Sequence, residues 1–249
     1  MKHASRNADE LITVSTFSQA ELSSIFSVEP SQLHIVPNGL DPFLVKIGLS
    51  DCQTILRSMN LPKRYFLYVG SNKPWKNLDM LITAFTEICP WEHDVVLVIA
   101  GKRGKNEPGI NRMTNDPKLS PFIRLLGSVS EEQLSCLYSN AIATLIPSTY
   151  EGFGYPALEA MGSGCPVIAS SAASLPEIVG DAGILIDPKN EMFWTSSMIS
   201  MLLNENKFQN LRKKSLERSK LFSIELMAKS TYYIYHNAMF GRRNINGKN

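Results

Sequence analysis

Residues 142–170 read IATLIPSTYEGFGYPALEAMGSGCPVIAS, and this stretch decides the fold. A short apolar run, 142–147, leads into a polar, glycine-rich loop, then a helix-forming segment, then a second apolar run at 166–170. Strand, loop, helix and strand in that order make a βαβ unit, whose two strands must be parallel. The expected helix starts at Pro156, where a missing N–H costs nothing, and is closed by Gly164. Its flanking runs are continuously apolar and do not alternate, the mark of strands buried on both faces.

Working outward, further runs of the same kind occur at 65–69, 95–100 and 183–186. Helical spacing recurs between them, in Leu78, Leu81, Ile82 and Phe85 and in Leu134, Leu137 and Tyr138, the latter after a capping-box start at Ser130 and Gln133. The expected architecture is α/β, a Rossmann-like doubly wound parallel sheet spanning residues 41–222, about 160–180 residues and so of ordinary domain size. The ends fall outside it. Residues 10–15 and 33–37 read as two strands around a helix at 18–26, a remnant of a second domain covering 1–40. Asn38-Gly39-Leu40-Asp41 reads as a junction, since Asn-Gly readily takes left-handed angles. Residues 223–240 form a helix apolar around much of its girth, which needs cover on more than one side. The polar tail 241–249 is expected to be disordered.

With 249 residues, 44% hydrophobic and 19% charged, the chain is an ordinary globular protein. Its net charge of +2 gives no field that would draw nucleic acid, so an anion must be held by local groups. The four cysteines and four histidines are scattered, which suggests neither a zinc site nor a disulfide framework. Cys89, Cys136 and Cys165 sit among apolar residues and read as buried thiols of a reducing compartment. No run is long enough to span a bilayer and MKHASRNADE is too polar for a signal peptide, so a cytoplasmic protein with at most peripheral contact at the inner membrane face is expected.

A glycine loop feeding a helix N-terminus exposes backbone N–H groups at the positive end of the helix dipole and suits a phosphate. Gly152-x-Gly154-x-x-Ala157 also fits a dinucleotide fingerprint, but that needs an acidic residue after the next strand, where this chain has Ser170-Ser171-Ala172-Ala173. Glu151 and Glu159 flank the loop. A carboxylate beside a phosphate site is repulsive unless it faces hydroxyls, because ionised it only accepts hydrogen bonds. A sugar nucleotide offers a ribose diol, a diphosphate and a hexose in one molecule.

EGFGYPALE, followed by AMGSGCPVIAS and SLPEIVGDAGILIDP and preceded by PNGLD, resembles the family 4 retaining glycosyltransferases of the GT-B fold, in particular the mannosyltransferase-like branch. The likeness runs in order from about Ala8 to Tyr235. It implies a C-terminal domain that binds a nucleotide-diphosphate sugar and transfers a hexose, mannose or glucose, with retention and with no metal or other cofactor. Carried over by position, Glu151 contacts the transferring sugar and Glu159 the ribose. The backbone of Gly152, Phe153, Gly154 and Tyr155 holds sugar and phosphate oxygens. Gly70, Ser71 and Lys76 lie in the loop that places a diphosphate-binding lysine. Many relatives have an arginine where this chain has Ser71, so Lys73, Lys102 or Arg103 is a candidate second cation. Val129 offers its backbone to the base, while Ser148 and Glu177 match further family positions.

The same resemblance implies a first Rossmann-like domain for the saccharide or lipid-linked acceptor, of which this chain holds only the end. The first expectation is therefore a glycosyltransferase of polysaccharide biosynthesis completed by a separate chain or by further sequence. The second is a donor-binding module without turnover, and the third an epimerase-like enzyme. That third class needs a nicotinamide site and a Tyr-x-x-x-Lys pair on a helix, neither of which is found here.

Overall fold

The computed structural model describes residues 7–42, 49–89, 91–92, 94–102 and 108–240; the tail 241–249 and Arg103 lie outside them. Along the chain the strands are β1 (Leu11–Thr13), β2 (Leu33–Ile35), β3 (Arg64–Val69), β4 (Val95–Ala100), β5 (Ile123–Gly127), β6 (Ala143–Ile146), β7 (Val167–Ser170) and β8 (Ile184–Ile186). The α-helices are α1 (Thr16–Phe26), α2 (Leu49–Ser58), α3 (Leu78–Thr86), α4 (Pro108–Asn115), α5 (Glu131–Asn140), α6 (Tyr155–Gly162), α7 (Leu175–Val179), α8 (Glu191–Leu203), α9 (Glu205–Ser219) and α10 (Ile224–Phe240).

Six strands form one sheet in the order β5-β4-β3-β6-β7-β8, with every neighbour parallel. This is the expected doubly wound α/β fold. Side chains alternate across β3: Tyr65 and Leu67 pack with α5, α6 and α7, while Phe66 and Tyr68 pack with α3, α4 and α8. Both faces are therefore dry, which is why the strands read as unbroken apolar runs. Trp194 of α8 is fully buried in the second layer, where truncation to alanine would cost about 3–5 kcal/mol. The strand β5, with sequence IRLLG, has no apolar run of the expected kind: it is the sheet edge and only Ile123 is fully buried.

β1 and β2 form a separate two-stranded parallel sheet joined through α1. The chain leaves this unit beside the point where it later returns: Leu40 N–H donates to Phe222 O at 2.7 Å and Leu40 bridges to Ser223. The junction differs from the expectation of left-handed angles, for neither Asn38 nor Gly39 has a positive φ. Gly39 is there because the chain passes against the start of α10, and a Cβ would lie 2.5 Å from the Ile224 backbone. Helix α10 has no buried residue. Met227, Thr231, Ile234 and Ala238 make a half-buried stripe, while Tyr232, Tyr233 and Tyr235 are 61–70% exposed. An open groove of about 470 Å³, lined by His34, Val36, Lys229 and Tyr233, separates α10 from β2. No helix among the described residues is long and apolar enough to cross a membrane.

The cysteines require a correction. Cys89 and Cys165 are buried thiols, with burial pushing them up to about 11 and about 12 respectively. Cys136 is not a thiol: it is joined to Cys52, 84 residues earlier, pinning α2 to α5 with Cα atoms 5.0 Å apart. Such a separation leaves no local spacing to read, and the bond removes the support that scattered cysteines lent to a reducing compartment. Alkylation in denaturant without reductant should therefore modify two of the four cysteines, and all four after reduction. Four modified cysteines before reduction would show that the bond is absent in solution.

Candidate functional site

The strand order reverses between β3 and β6: the chain runs outward through β4 and β5 on one side, then returns to place β6, β7 and β8 on the other. At such a reversal the loops after the two central strands diverge and leave a crevice beyond their carboxyl ends. Here those loops are 70–77 and 147–154. They are stitched together, with Thr149 N–H donating to Trp75 O at 2.8 Å and Asn77 Nδ2 donating to Pro147 O at 3.2 Å and Pro188 O at 2.8 Å. Asn77 takes a left-handed φ of 55°, which amide side chains tolerate.

The stitching brings Lys76 and Glu151 together. Lys76 Nζ donates to Glu151 Oε1, which also accepts from the buried Ser148 hydroxyl at 2.8 Å. The two side chains are 18% and 12% exposed, so the pair is largely out of water. Behind it Tyr68 donates to Ser71 O at 2.9 Å, and burial together with the nearby Glu151 charge raises its phenol well above the ordinary value. Sequence reasoning gave Lys76 to phosphate and Glu151 to sugar as separate tasks. The structure makes each the other's partner.

The glycine loop is held by its carbonyl groups. Ser174 Oγ lies 2.8 Å from both Glu151 O and Phe153 O, and Gly152 O lies 2.6 Å from Ser15 Oγ and 2.9 Å from Ser18 Oγ. Among the described residues the N–H groups of Gly152, Phe153, Gly154 and Tyr155 make no hydrogen bond. Helix α6 begins at Tyr155, one residue before the expected start, with Gly154 as its N-cap and Pro156 in its first turn. Gly154 is required twice over, by a φ of 109° and by the Leu175 side chain, which a Cβ would approach to 2.9 Å. The Phe153 ring is buried edge-on to Tyr155 and Phe222, which fixes the loop from below.

Glu159 lies in the second turn of α6. Its Oε2 accepts from the Tyr138 hydroxyl at 2.8 Å, and its Oε1 makes no hydrogen bond among the described residues. Burial raises its carboxyl above the ordinary value, opposed by the Tyr138 bond, while Tyr138, wholly buried on α5, is itself raised by burial and by Glu159. Glu159 is thus a desolvated carboxylate with one oxygen tied down, not a solvated helix-start glutamate. Tyr138 reads in the sequence as one more apolar position of α5; only its hydroxyl hints at a polar partner.

The other expected residues have contacts of their own. Lys73 is exposed and lies over the Trp75 ring at 5.0 Å, and Lys102 is exposed. Val129 is half-buried against the core before the Ser130 and Gln133 capping box, which forms as expected. Gly70 N–H closes onto Ala100 O, holding the ends of β3 and β4 together. Glu177 accepts from the Thr16 and Phe17 N–H groups at 2.9 and 3.1 Å, joining α7 to the start of α1. Among the described residues no three His, Cys, Asp or Glu side chains gather as cation ligands.

Known proteins resemble this chain in sequence and fold. The chain is 32% identical over 238 residues to O-antigen chain mannosyltransferase B of Escherichia coli, covering 94% of this chain and 62% of that one. It is 31% identical over 242 residues to the MMP alpha-(1->4)-mannosyltransferase of Mycolicibacterium hassiacum, covering 96% and 56%. The chain therefore spans about 60% of the length of these relatives. Sucrose-phosphate synthase from Thermosynechococcus elongatus superposes with a TM-score of 0.81 at 26% identity, over 96% of this chain and 60% of that one. Anabaena HepE, solved in complex with UDP and glucose, superposes at 0.84 over 94% and 65%, and at 20% identity it shows the fold alone. The family model for glycosyl transferases group 1 matches residues 57–218, from the end of α2 to the end of α9, and the chain belongs to that family.

Proposed function

We propose that residues 41–222 bind a nucleotide-diphosphate sugar and present its hexose, mannose or glucose, for transfer with retention and without a metal. The observation that carries this is the row of N–H groups from Gly152 to Tyr155, without acceptors among the described residues and beside the Lys76–Glu151 pair. An incoming diphosphate competes with Glu151 for Lys76, and the freed carboxylate accepts from sugar hydroxyls, held in place by Ser148. Glu159 offers Oε1 to the ribose, Val129 its backbone to the base, and Gly70 and Ser71 line the phosphate loop. In the transfer, the bond from sugar C1 to the diphosphate oxygen breaks as the bond to the acceptor oxygen forms on the same face. The acceptor proton passes to the departing diphosphate, whose charge Lys76 neutralises. The mannosyltransferase relatives favour mannose, and the O-antigen chain of one of them favours polysaccharide assembly.

Residues 1–40 would then be the end of an acceptor-binding domain and 223–240 the helix that returns to it. The exposed tyrosines of α10 favour a second possibility as well, a donor-binding module that needs a separate acceptor-domain chain for turnover. Hydrolysis or transfer by the purified chain alone rules out the binding-only module; turnover that appears only with an added acceptor-domain chain supports an enzyme split between two chains.

UDP or GDP at millimolar concentration should raise Tm in the presence of EDTA, and Lys76→Ala and Glu159→Ala should each diminish the shift. Absence of any shift with either nucleotide defeats the donor site. Glu159 also makes a pH prediction. Because its folded pKa lies above the unfolded value, the folded state holds the proton longer, so stability falls as pH rises through that interval and stays reduced above it. Glu159→Gln keeps an acceptor for Tyr138 without the charge. Its Tm without nucleotide should equal or exceed that of the wild type at pH 7.5, with a smaller advantage at pH 5, while its nucleotide shift shrinks. A variant less stable at pH 7.5 than the wild type would contradict this.

A further inference from the structure

We propose that Ser15 and Ser18, which lie before the junction and outside the six-stranded domain, are positioning residues for the donor loop, an inference that rests on the donor site proposed above. Both hydroxyls reach Gly152 O, at 2.6 and 2.9 Å. The two hydroxyls also lie 2.9 Å from each other, so the one Ser15 proton is shared between Ser18 Oγ and the nearer Gly152 O, and the carbonyl's two lone pairs are filled when both protons point at it. Ser15 Oγ is left to accept from Ser18 N–H at 3.0 Å, capping α1. Ser15 is 1% exposed, which keeps water from replacing its bond.

The consequence follows from the planarity of the trans peptide. The Gly152 carbonyl and the Phe153 N–H are opposite ends of one rigid unit, so drawing the oxygen toward α1 turns the hydrogen away from it. That hydrogen has no acceptor among the described residues, and the buried Phe153 ring prevents the chain from relaxing around it. A glycine preceding the peptide would otherwise leave its orientation free. The anchor is itself anchored. The Glu177 carboxylate takes the first two N–H groups of α1, Phe17 meets the Tyr150 ring edge-on at 5.4 Å, and the Tyr150 hydroxyl reaches Glu21 at 3.2 Å. A continuous seam from α1 to α7 thus determines which way the Phe153 N–H faces; with this N–H given to a sugar oxygen and the remaining loop N–H groups to the diphosphate, the seam governs the sugar contact and not the nucleotide.

The test compares affinities of the full chain for UDP against UDP-glucose and for GDP against GDP-mannose, by titration calorimetry. Ser18→Ala, which keeps the α1 cap, should weaken the sugar nucleotide about 3–10-fold and leave the nucleoside diphosphate within about twofold, the loss expected for one neutral hydrogen bond. Ser18→Thr, retaining a hydroxyl, should restore the sugar nucleotide. Equal weakening of both ligands, no change in either, or a wild type that binds sugar nucleotide no tighter than nucleoside diphosphate overturns the positioning role while the donor site stands. A wild type that binds none of the four ligands overturns the donor site and this proposal with it. Adding Ser15→Ala should deepen the sugar-specific loss; should that double variant not fold, the Ser18 pair decides alone.

Discussion

A parallel sheet dry on both faces constrains everything else in this protein. With Tyr65, Phe66, Leu67 and Tyr68 all essentially inaccessible, the strands have no surface on which to place chemistry, and polar groups collect where the strands end. The reversal between β3 and β6 then selects one place along that edge, because only there do two neighbouring loops part. Lys76 comes from one loop and Glu151 from the other, so their pairing measures how closely the two halves of the sheet are drawn together. The backbone bonds from Thr149 to Trp75 hold the same gap with neutral groups, which leaves the charged pair free to exchange partners without the loops separating.

Two carboxylates beside the proposed anion site must be kept from repelling its ligand, and the structure holds them in two ways. Glu151 is neutralised by a lysine and oriented by Ser148. Glu159 has no cation partner among the described residues; it is desolvated and tied by a phenol that burial itself holds well above the ordinary value. The first arrangement is reversible by a competing anion, whereas the second fixes geometry regardless of what binds. A carboxylate held in the second way destabilises the chain, and one neutral donor recovers only part of the desolvation cost.

How much was legible follows from the range over which each feature is encoded. Doubly buried strands are read from a handful of adjacent residues, so β3, β4, β6 and β7 are visible; of the two half-buried edge strands, β8 is unbroken in apolar residues and is read as well, whereas Arg124 interrupts β5 and hides it. The capping box at Ser130 and Gln133 and the glycine loop before α6 are equally local and equally visible. Features that join distant segments leave no such trace. The Cys52–Cys136 bond, the Tyr138–Glu159 contact and the grip of Ser15 and Ser18 on Gly152 link residues 84, 21 and at least 134 positions apart. Each partner taken alone has an ordinary explanation: a small buried residue, an apolar helix position, a helix cap. The Asn38-Gly39 junction fails differently, since the glycine is required by a neighbour, the start of α10, and not by its own angles.

The unit β1–α1–β2 is therefore more than the end of something else. Its two strands have few partners, Ile12 and Ile35 are each 38% exposed, and open grooves separate them from α10. On packing alone it is weakly held. Yet its contacts with the glycine loop and α7 are specific and polar: two hydroxyls on one carbonyl, two helix-start amides on one carboxylate, and a phenol on Glu21. Apolar contact tolerates sliding, whereas a set of directed hydrogen bonds between two bodies defines one relative orientation. The loop that faces the proposed ligand is thus oriented by residues on both sides of the junction, and any rotation of the smaller unit must act first on the Gly152–Phe153 peptide.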